Sequence, residues 1–301
     1  MLNLEAFASF VAVVDAGSLV GAARRLGLSK SVVSARLSEL ERSLGVTLIR
    51  RTTRALTLTQ EGSAFYRRAQ QILRDVEATA NEIAARRGSL TGSLRISAPV
   101  GFGNLHLGPA LFGFLARYPA LEMSLDVDDR FVDVVEEGYD AVVRHGKVED
   151  KRLVVKRIAK SQRVLVASPT YLKRHGEPTS LSELGAHRGV MYTNRGGADW
   201  RFRVGRTWKT VAPQAALRVN NGLLMRDAAA AGLGIALLAT FFLQAARADR
   251  SLKVIDVGAE AEGAEIFVAY PEDLRSAAKI EALTQWLRRA FGEPPYWDRT
   301  S

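Results

Sequence analysis

Between residues 24 and 54 the chain carries eight cations, Arg24, Arg25, Lys30, Arg36, Arg42, Arg50, Arg51 and Arg54, against two anions, Glu39 and Glu41. Eight minus two leaves an excess of six, more than half of the formal net charge of +10 spread over 301 residues. Cations concentrated in this way within a folded segment suit a polyanion, because neutralised phosphates release their counterions and drive nucleic-acid affinity. A charge run alone is also what a solvated face looks like. The elements that carry the charges have to decide between the two.

Other chemistry finds little support. The four histidines, His106, His145, His175 and His187, lack metal-ligand spacing, and with no cysteine there is no thiolate site or disulfide. No nucleophile elbow and no Walker loop occurs. Gly101-Phe102-Gly103 resembles the start of a dinucleotide fingerprint, but His106 stands where the third glycine belongs. Gly232-Leu233-Gly234 follows a helical pattern and precedes a strand, the order of a helix C-cap rather than a phosphate loop. The adjacent carboxylates Asp128-Asp129 and Glu136-Glu137 read as solvated turns and helix ends. No cofactor, no metal and no enzymatic activity are expected.

The elements around the basic block follow a definite order. Leu4, Phe7, Phe10 or Val11, and Val14 mark one amphipathic helix. Ser18 caps a short second helix with Leu19, Ala22, Ala23 and Leu26 on its apolar face, and Gly27-Leu28-Ser29 is a tight turn. A third helix buries Val33, Leu37, Leu40 and Leu44 and leaves Lys30, Ser31, Ser34 and Ala35 near its exposed N-terminal end. That is the helix-turn-helix layout, whose second helix enters the major groove. Val46–Ile49 and Leu56–Thr59 then read as a ribbon tipped by Arg50, Arg51, Thr52, Thr53 and Arg54, suited to the backbone or minor groove. Ser18, Ser29 and Arg36 complete the expected DNA-binding set.

From the cap Thr59 the pattern is helical to about Arg87, with Phe65, Ala69, Ile72, Val76, Ala80 and Ile83 as a narrow stripe flanked by charge, the pattern of a two-helix dimer seam. Packing against its own chain is the other use of such a stripe. Gly88 to Ser93 reads as a hinge. Beyond it strands (94–97, 122–127, 141–144, 163–168, 234–238, 266–269) alternate with helices (104–117, 131–137, 169–174, 221–231, 274–291), which predicts an α/β domain with a mostly parallel sheet.

The run from Phe7 to Gly62, with AARRLGLSKSVVSARLSELERSLGVTLIRRTTRALTLTQEG at its heart, resembles the DNA-binding domain of LysR-type transcriptional regulators. Ser31 stands where many members have proline, which leaves the base sequence open. The segments Gly92–Pro99, Phe131–Asp140 and Ala231–Ala236 are similar to the same family's effector-binding domain. The resemblance implies a winged helix-turn-helix over 1–59, a dimerising linker helix over 60–88, and over 92–301 a two-lobed α/β domain like a periplasmic binding protein. Lobe I is expected at about 92–162 and 267–301, and lobe II at about 163–266. It also implies that Pro99, Val100, Gly101, Phe102, Arg144, His145, Asn220 and Asn221 face the effector, with Arg144 suited to an organic acid. A structural salt bridge or a solvated strand end is an equal use for Arg144, and Asn220 and Asn221 have helix capping as their other use.

The implied partners are double-stranded DNA bearing an interrupted inverted repeat, a small-molecule effector, a second copy of the chain (a tetramer in the family) and RNA polymerase at the promoter. The start Met1-Leu2-Asn3-Leu4-Glu5 lacks a signal-peptide pattern, and no apolar stretch approaches the roughly 20 residues of a membrane span. A cytoplasmic protein without a membrane partner is expected. Two further readings stay open: an architectural protein binding DNA without sequence preference, and an enzyme with a DNA-binding head.

Overall fold

The computed structural model describes residues 3–51, 56–85, 90–194, 200–272 and 278–299. The chain forms two compact units, residues 1–88 and 89–301.

In the first unit, helices α1 (Leu4–Ala16), α2 (Leu19–Leu26) and α3 (Lys30–Leu44) open on Asn3, Ser18 and Ser29, whose side chains accept the amides of Glu5, Gly21 and Val32. They close on Gly17, Gly27 and Gly45, held at φ of 63°, 64° and 69°, a region glycine enters without steric cost. α3 buries Val33, Leu37 and Leu40 as its spacing predicts. The face of α1 differs from expectation: Phe7, Phe10 and Val13 are buried with Ala6, Ser9 and Ala12, while Leu4 is 44% exposed and Val14 only partly covered. α1 is packed by α2, α3 and the following helix, so it buries a broader face than a single stripe.

The wing consists of β1 (Ile49–Arg51) and β2 (Leu56–Leu58), antiparallel, with Ile49 opposite Leu58 and Arg51 opposite Leu56. The first strand begins three residues later than expected. The Val46 amide still closes α3 on the Glu41 carbonyl (3.2 Å), and the Glu41 carboxylate takes the amides of Leu48 (2.8 Å) and Ile49 (3.1 Å), so the approach to the strand is tied to α3. Arg50 and Arg51 therefore lie on the strand and not at the tip, and Thr52, Thr53 and Arg54 fall outside the described residues.

Helix α4 (Gln60–Ala85) is capped by the Thr59 hydroxyl, which accepts the Gly62 amide at 2.8 Å, and its 26 residues span about 39 Å. The expected dimer stripe divides along it. Ala69 is 0% exposed within its own unit, and the Phe65 ring lies 5.1 Å from that of Phe7 and 5.4 Å from that of Phe10. These two residues belong to the intrachain core, because the first turns of α4 cover the three-helix unit. Ile72 (39% exposed) and Val76 (46%) stay open. The side chains of Ala80 and Ile83 are outside the described residues.

The second unit contains two mixed five-stranded sheets. The first has the order β4-β3-β5-β15-β6, from β3 (Gly92–Ala98), β4 (Leu121–Val127), β5 (Ala141–Gly146), β6 (Leu153–Ser161) and β15 (Ala264–Pro271). Around it run α5 (Val100–Phe102), a π-helical turn (Gly103–Leu107), α6 (Gly108–Arg117) and the late helix α11 (Ala278–Phe291). The second sheet has the order β11-β8-β12-β7-β13, from β7 (Arg163–Ala167), β8 (Arg188–Tyr192), β11 (Gln214–Val219), β12 (Ile235–Ala239) and β13 (Lys253–Ile255). It carries α7 (Pro169–His175), α8 (Leu181–Leu184), α9 (Gly222–Ala230) and α10 (Gln244–Ala248), and beside it lies a small sheet of β9 (Arg201–Val204), β10 (Thr207–Thr210) and β14 (Glu260–Ala261).

In both large sheets four of the five strands share one sense, as a mostly parallel arrangement requires, and a single strand reverses it. β3 pairs in parallel with β4 and β5, and β8 with β11 and β12, but β15 and β7 run antiparallel to their neighbours. The chain crosses from one sheet to the other between β6 and β7 and returns at Ala264. A strand that enters a sheet from the other lobe arrives in the opposite sense.

Two local expectations also change. The helix expected from residue 104 starts at Val100, so Gly101-Phe102-Gly103 is helix rather than loop, and the Gly108 amide reaches the Gly103 carbonyl five residues back. Phe131–Glu137 forms a single turn rather than a helix. Asp133 Oδ1 accepts the amides of Val135 (3.1 Å) and Glu136 (3.0 Å), and Gly138, at φ 70°, ends the turn.

Candidate functional site

At the N-terminal end of α3, Lys30, Ser31 and Ala35 are exposed and Ser34 is half-buried, one helical turn apart on one face. Their register follows from Val33 and Leu37, which point into the core. The hydroxyls of Ser29 and Ser31 lie 2.8 Å apart, so the cap residue and the first exposed serine are held together. Ser18 sits at the start of α2, its hydroxyl occupied by the Gly21 amide at 3.0 Å. Short side chains at these positions let backbone and hydroxyls approach base edges.

The basic block is only partly free. Arg36 donates to the carboxylate of Glu5, and Arg25 pairs with Asp15 at 2.8 Å. Asp15 also accepts from the Tyr66 hydroxyl, which ties α1, α2 and α4 together. Arg36 thus serves the packing of α3 on α1, a role its position in the basic run does not announce. Arg24, Lys30, Arg42 and Arg50 are exposed and have no acidic partner among the described residues. Four unpaired cations along α2, α3 and β1 are what phosphate contacts need. Sequence reasoning missed Glu41, which fixes the wing to the C-terminal half of α3 through Leu48 and Ile49.

In the second unit, a cavity of about 120 Å³ opens between the two lobes at the C-terminal ends of β3, β5, β8 and β12. Strand ends at a switch in topology are where open α/β sheets hold ligands. One water needs roughly 10–15 Å³ by this measure, so the space admits a compact solute. Pro99, Gly101, Phe102, Arg144 and His145 line it, as the resemblance implies. Val100, Asn220 and Asn221 do not. Val100 offers only its amide, 3.0 Å from Asp129 Oδ1, and Asn220 is exposed. Asn221 caps α9 by accepting the Leu224 amide at 3.0 Å and donates to Asp129 Oδ2 at 2.7 Å.

Asp128, Asp129, Arg130, Phe131, Tyr192, Asn194, Phe241 and Phe242 were not legible as site residues, yet all of them face the cavity. The available signal was Asp128-Asp129, placed directly after a strand at its C-terminal end. Asp128 accepts the Arg130 amide at 2.9 Å, which holds its carboxyl below the usual range, and receives the Arg130 guanidinium at 2.7 Å. Arg130 also donates to Glu137, and these two carboxylates raise its already high pKa further. Arg144 gives its donors to Ser97 Oγ (2.8 Å) and to the carbonyls of Val143 (3.0 Å) and Arg130 (3.4 Å); burial pulls its pKa down. His145 meets Ser161 Oγ at 2.9 Å. Phe241, from the lobe II segment after β12, packs edge-on to Phe102 of lobe I at 5.2 Å.

Residues 4–63 match the family described as "Bacterial regulatory helix-turn-helix protein, lysR family", and residues 87–292 match "LysR substrate binding domain". The chain belongs to the LysR family of transcriptional regulators. It is 32% identical over 286 residues to the HTH-type transcriptional regulator DmlR of Escherichia coli (strain K12), covering 94% of this chain and 93% of that one. It is 32% identical over 301 residues to the HTH-type transcriptional repressor PA14_22550 of Pseudomonas aeruginosa, covering 98% and 94%. The solved structure of CrgA, a LysR-type regulator from Neisseria meningitidis, matches at a TM-score of 0.61 and 28% identity, over 97% of this chain and 100% of that one.

As a LysR-type regulator this protein binds DNA through its helix-turn-helix, and a small molecule held by its substrate-binding domain modulates that binding. Regulators of this family form oligomers. No helix among the described residues is long and apolar enough to cross a membrane, and no group of three or more His, Asp or Glu among them is placed to hold a metal ion.

Proposed function

We propose that a homodimer of this regulator reads an interrupted inverted repeat, with Lys30, Ser31, Ser34 and Ala35 at the base edges and Ser18, Ser29, Arg50 and Arg51 on the backbone. Thr52, Thr53 and Arg54, also expected to contact DNA, lie outside the described residues. The observation that carries this reading is the exposed, short-chained N-terminal end of α3, set by the buried register of Val33, Leu37 and Leu40. Ile72 and Val76 on α4 join the two copies; Ala80 and Ile83, expected in the same seam, have side chains outside the described residues.

The effector sits in the interlobe cavity against Arg144, His145 and the turn Pro99–Phe102, and its occupancy biases how the lobes close. Differential affinity for two arrangements is all such coupling requires. The chain works as a regulator without turnover, in the cytoplasm, with RNA polymerase as its partner at the promoter and a pair of dimers as the assembly. The domain limits 1–59, 60–88 and 92–301 are part of the same reading.

Selection of sites from random duplex DNA, at fixed salt and with excess competitor, tests it. Half-sites a whole number of turns apart, about 10 base pairs each, are expected. Tight, salt-dependent binding without a consensus would instead favour an architectural protein.

A further inference from the structure

Two opposite charges face the interlobe cavity without an ion-pair partner among the described residues. Arg144 donates only to neutral oxygens, the Ser97 hydroxyl (2.8 Å) and the carbonyls of Val143 (3.0 Å) and Arg130 (3.4 Å). Asp129 accepts only from neutral donors, the Val100 amide (3.0 Å) and the Asn221 side-chain amide (2.7 Å). Their neighbours behave differently. Arg130 is held by Asp128 at 2.7 Å and by Glu137 at 2.9 Å, so that group of charges is satisfied internally.

Arg144 lies in the field of Asp128 and, more weakly, of Asp129, and touches neither; of the two carboxylates only Asp129 has no cation in contact among the described residues. Burial draws Arg144 out of water, which is costly until a counter-charge reaches it, and the half-buried Asp129 carboxylate, without such a contact, stands opposite. Most of the remaining wall is apolar, with Phe102, Met225, Leu237 and Phe241 among its members. A monoanion would satisfy Arg144 and leave its other end beside a carboxylate. A dicarboxylate would place a second negative charge against Asp129. Only a ligand carrying both signs answers both residues.

We propose that the effector is a small zwitterion of the amino-acid type, its carboxylate held by Arg144 and its ammonium by Asp129. The proposal rests on the cavity being the effector site. It also couples binding to lobe closure. Asp129 belongs to lobe I, yet its carboxylate receives Asn221 and its carbonyl receives Asn194 Nδ2 at 2.8 Å, both from lobe II. An ammonium at Asp129 enters the contact that joins the lobes.

The test is thermal denaturation of the full-length protein titrated with each standard α-amino acid. Each is compared with the acid lacking its ammonium and with the amine lacking its carboxylate. At least one amino acid is expected to raise the melting temperature, at concentrations at least tenfold below those its two partial analogues require. Asp129→Asn and Arg144→Met, checked for folding by near-ultraviolet circular dichroism, are each expected to weaken that response tenfold or more. An acid as effective as its amino acid, with a response lost in Arg144→Met, would overturn the zwitterion and leave the cleft standing. Stabilisation by no amino acid would overturn it as well. A response unchanged in both variants would place the ligand outside the cleft and remove both readings. The analogue series needs no variant, so misfolding cannot mask the answer.

Discussion

The ring of Phe65, on the second turn of α4, meets the ring of Phe10 from α1 edge to face, with centroids 5.4 Å apart and planes inclined at 60°. The linker helix is therefore fused at its start to the core of the DNA-binding unit. Phe65→Ala is expected to lower the stability of that unit by about 2–3 kcal/mol, less than the roughly 3–5 kcal/mol of a fully buried phenylalanine. Chemical denaturation of the first unit measures this. A variant of unchanged stability that dissociates more readily would return Phe65 to the dimer seam.

Further along α4, Ile72 and Val76 project one turn apart with 39% and 46% of their surface open. A charge there costs little within one chain but is strongly disfavoured in an apolar seam. Ile72→Asp with Val76→Asp is expected to shift the protein toward monomer in sedimentation while helix content is retained. A dimer of undiminished strength would show that other surfaces hold the copies together.

Ser34 shares its face of α3 with Lys30, Ser31 and Ala35, turned away from the buried Val33 and Leu37. A bulky side chain there would hold the helix away from the base edges and leave Arg24, Arg42 and Arg50 able to reach phosphates. Ser34→Trp is expected to lose discrimination between operator and random DNA, each mismatch in a site being worth about 1–3 kcal/mol, and to keep its salt-dependent residual binding. Equal loss on both DNAs, with the fold intact, would move Ser34 away from the bases.

The reading head was legible in the sequence because its signals are local. A serine or asparagine cap, an apolar face and a closing glycine recur for α1, α2 and α3 within a few residues. The first strand of the wing was misplaced because Val46 still belongs to the close of α3, its amide on the Glu41 carbonyl, and the Glu41 carboxylate, seven residues upstream of Leu48, takes that residue's amide. Ala69 looked like seam because helical periodicity shows which face is apolar and not which surface covers it. In the second unit the parallel centres of both sheets were readable. The antiparallel returns β7 and β15 were not, since they depend on the chain crossing between lobes. Asp129 was read as a solvated turn. Its partners Asn194 and Asn221 lie 65 and 92 residues away, beyond any local pattern.

His106 is buried in lobe I with Nδ1 2.5 Å from the Tyr296 hydroxyl and Nε2 2.9 Å from the Phe241 carbonyl. Burial lowers its pKa below the ordinary value of 6.5, outweighing the opposing effect of the Phe241 carbonyl. The unfolded chain therefore takes up the proton first. Its contribution to stability is complete above about pH 6.5 and is lost as pH falls through the lower folded value. Urea denaturation at about pH 8 and about pH 5 is expected to show a smaller loss of stability for His106→Gln than for the parent. Equal losses would mean that His106 carries no part of the pH dependence.

Phe242, at the end of the segment after β12, is enclosed by glycines from both lobes. A Cβ built on Gly222 would come within 2.3 Å of its Cζ, and one on Gly101 within 2.5 Å of its Cε1. A ring pushed from one side moves toward the other, so it has little room to retreat. Gly222 is also the first residue of α9, next to the cap Asn221, where alanine favours the helix. Any loss in Gly222→Ala therefore reports packing at the cleft and not helix propensity. The substitution is expected to cost about 1–3 kcal/mol of stability, with a weaker response to effector because Phe242 lines the cavity. A variant as stable as the parent, responding at the same effector concentration, would show that the ring turns aside freely and that the glycine pair does not shape the site.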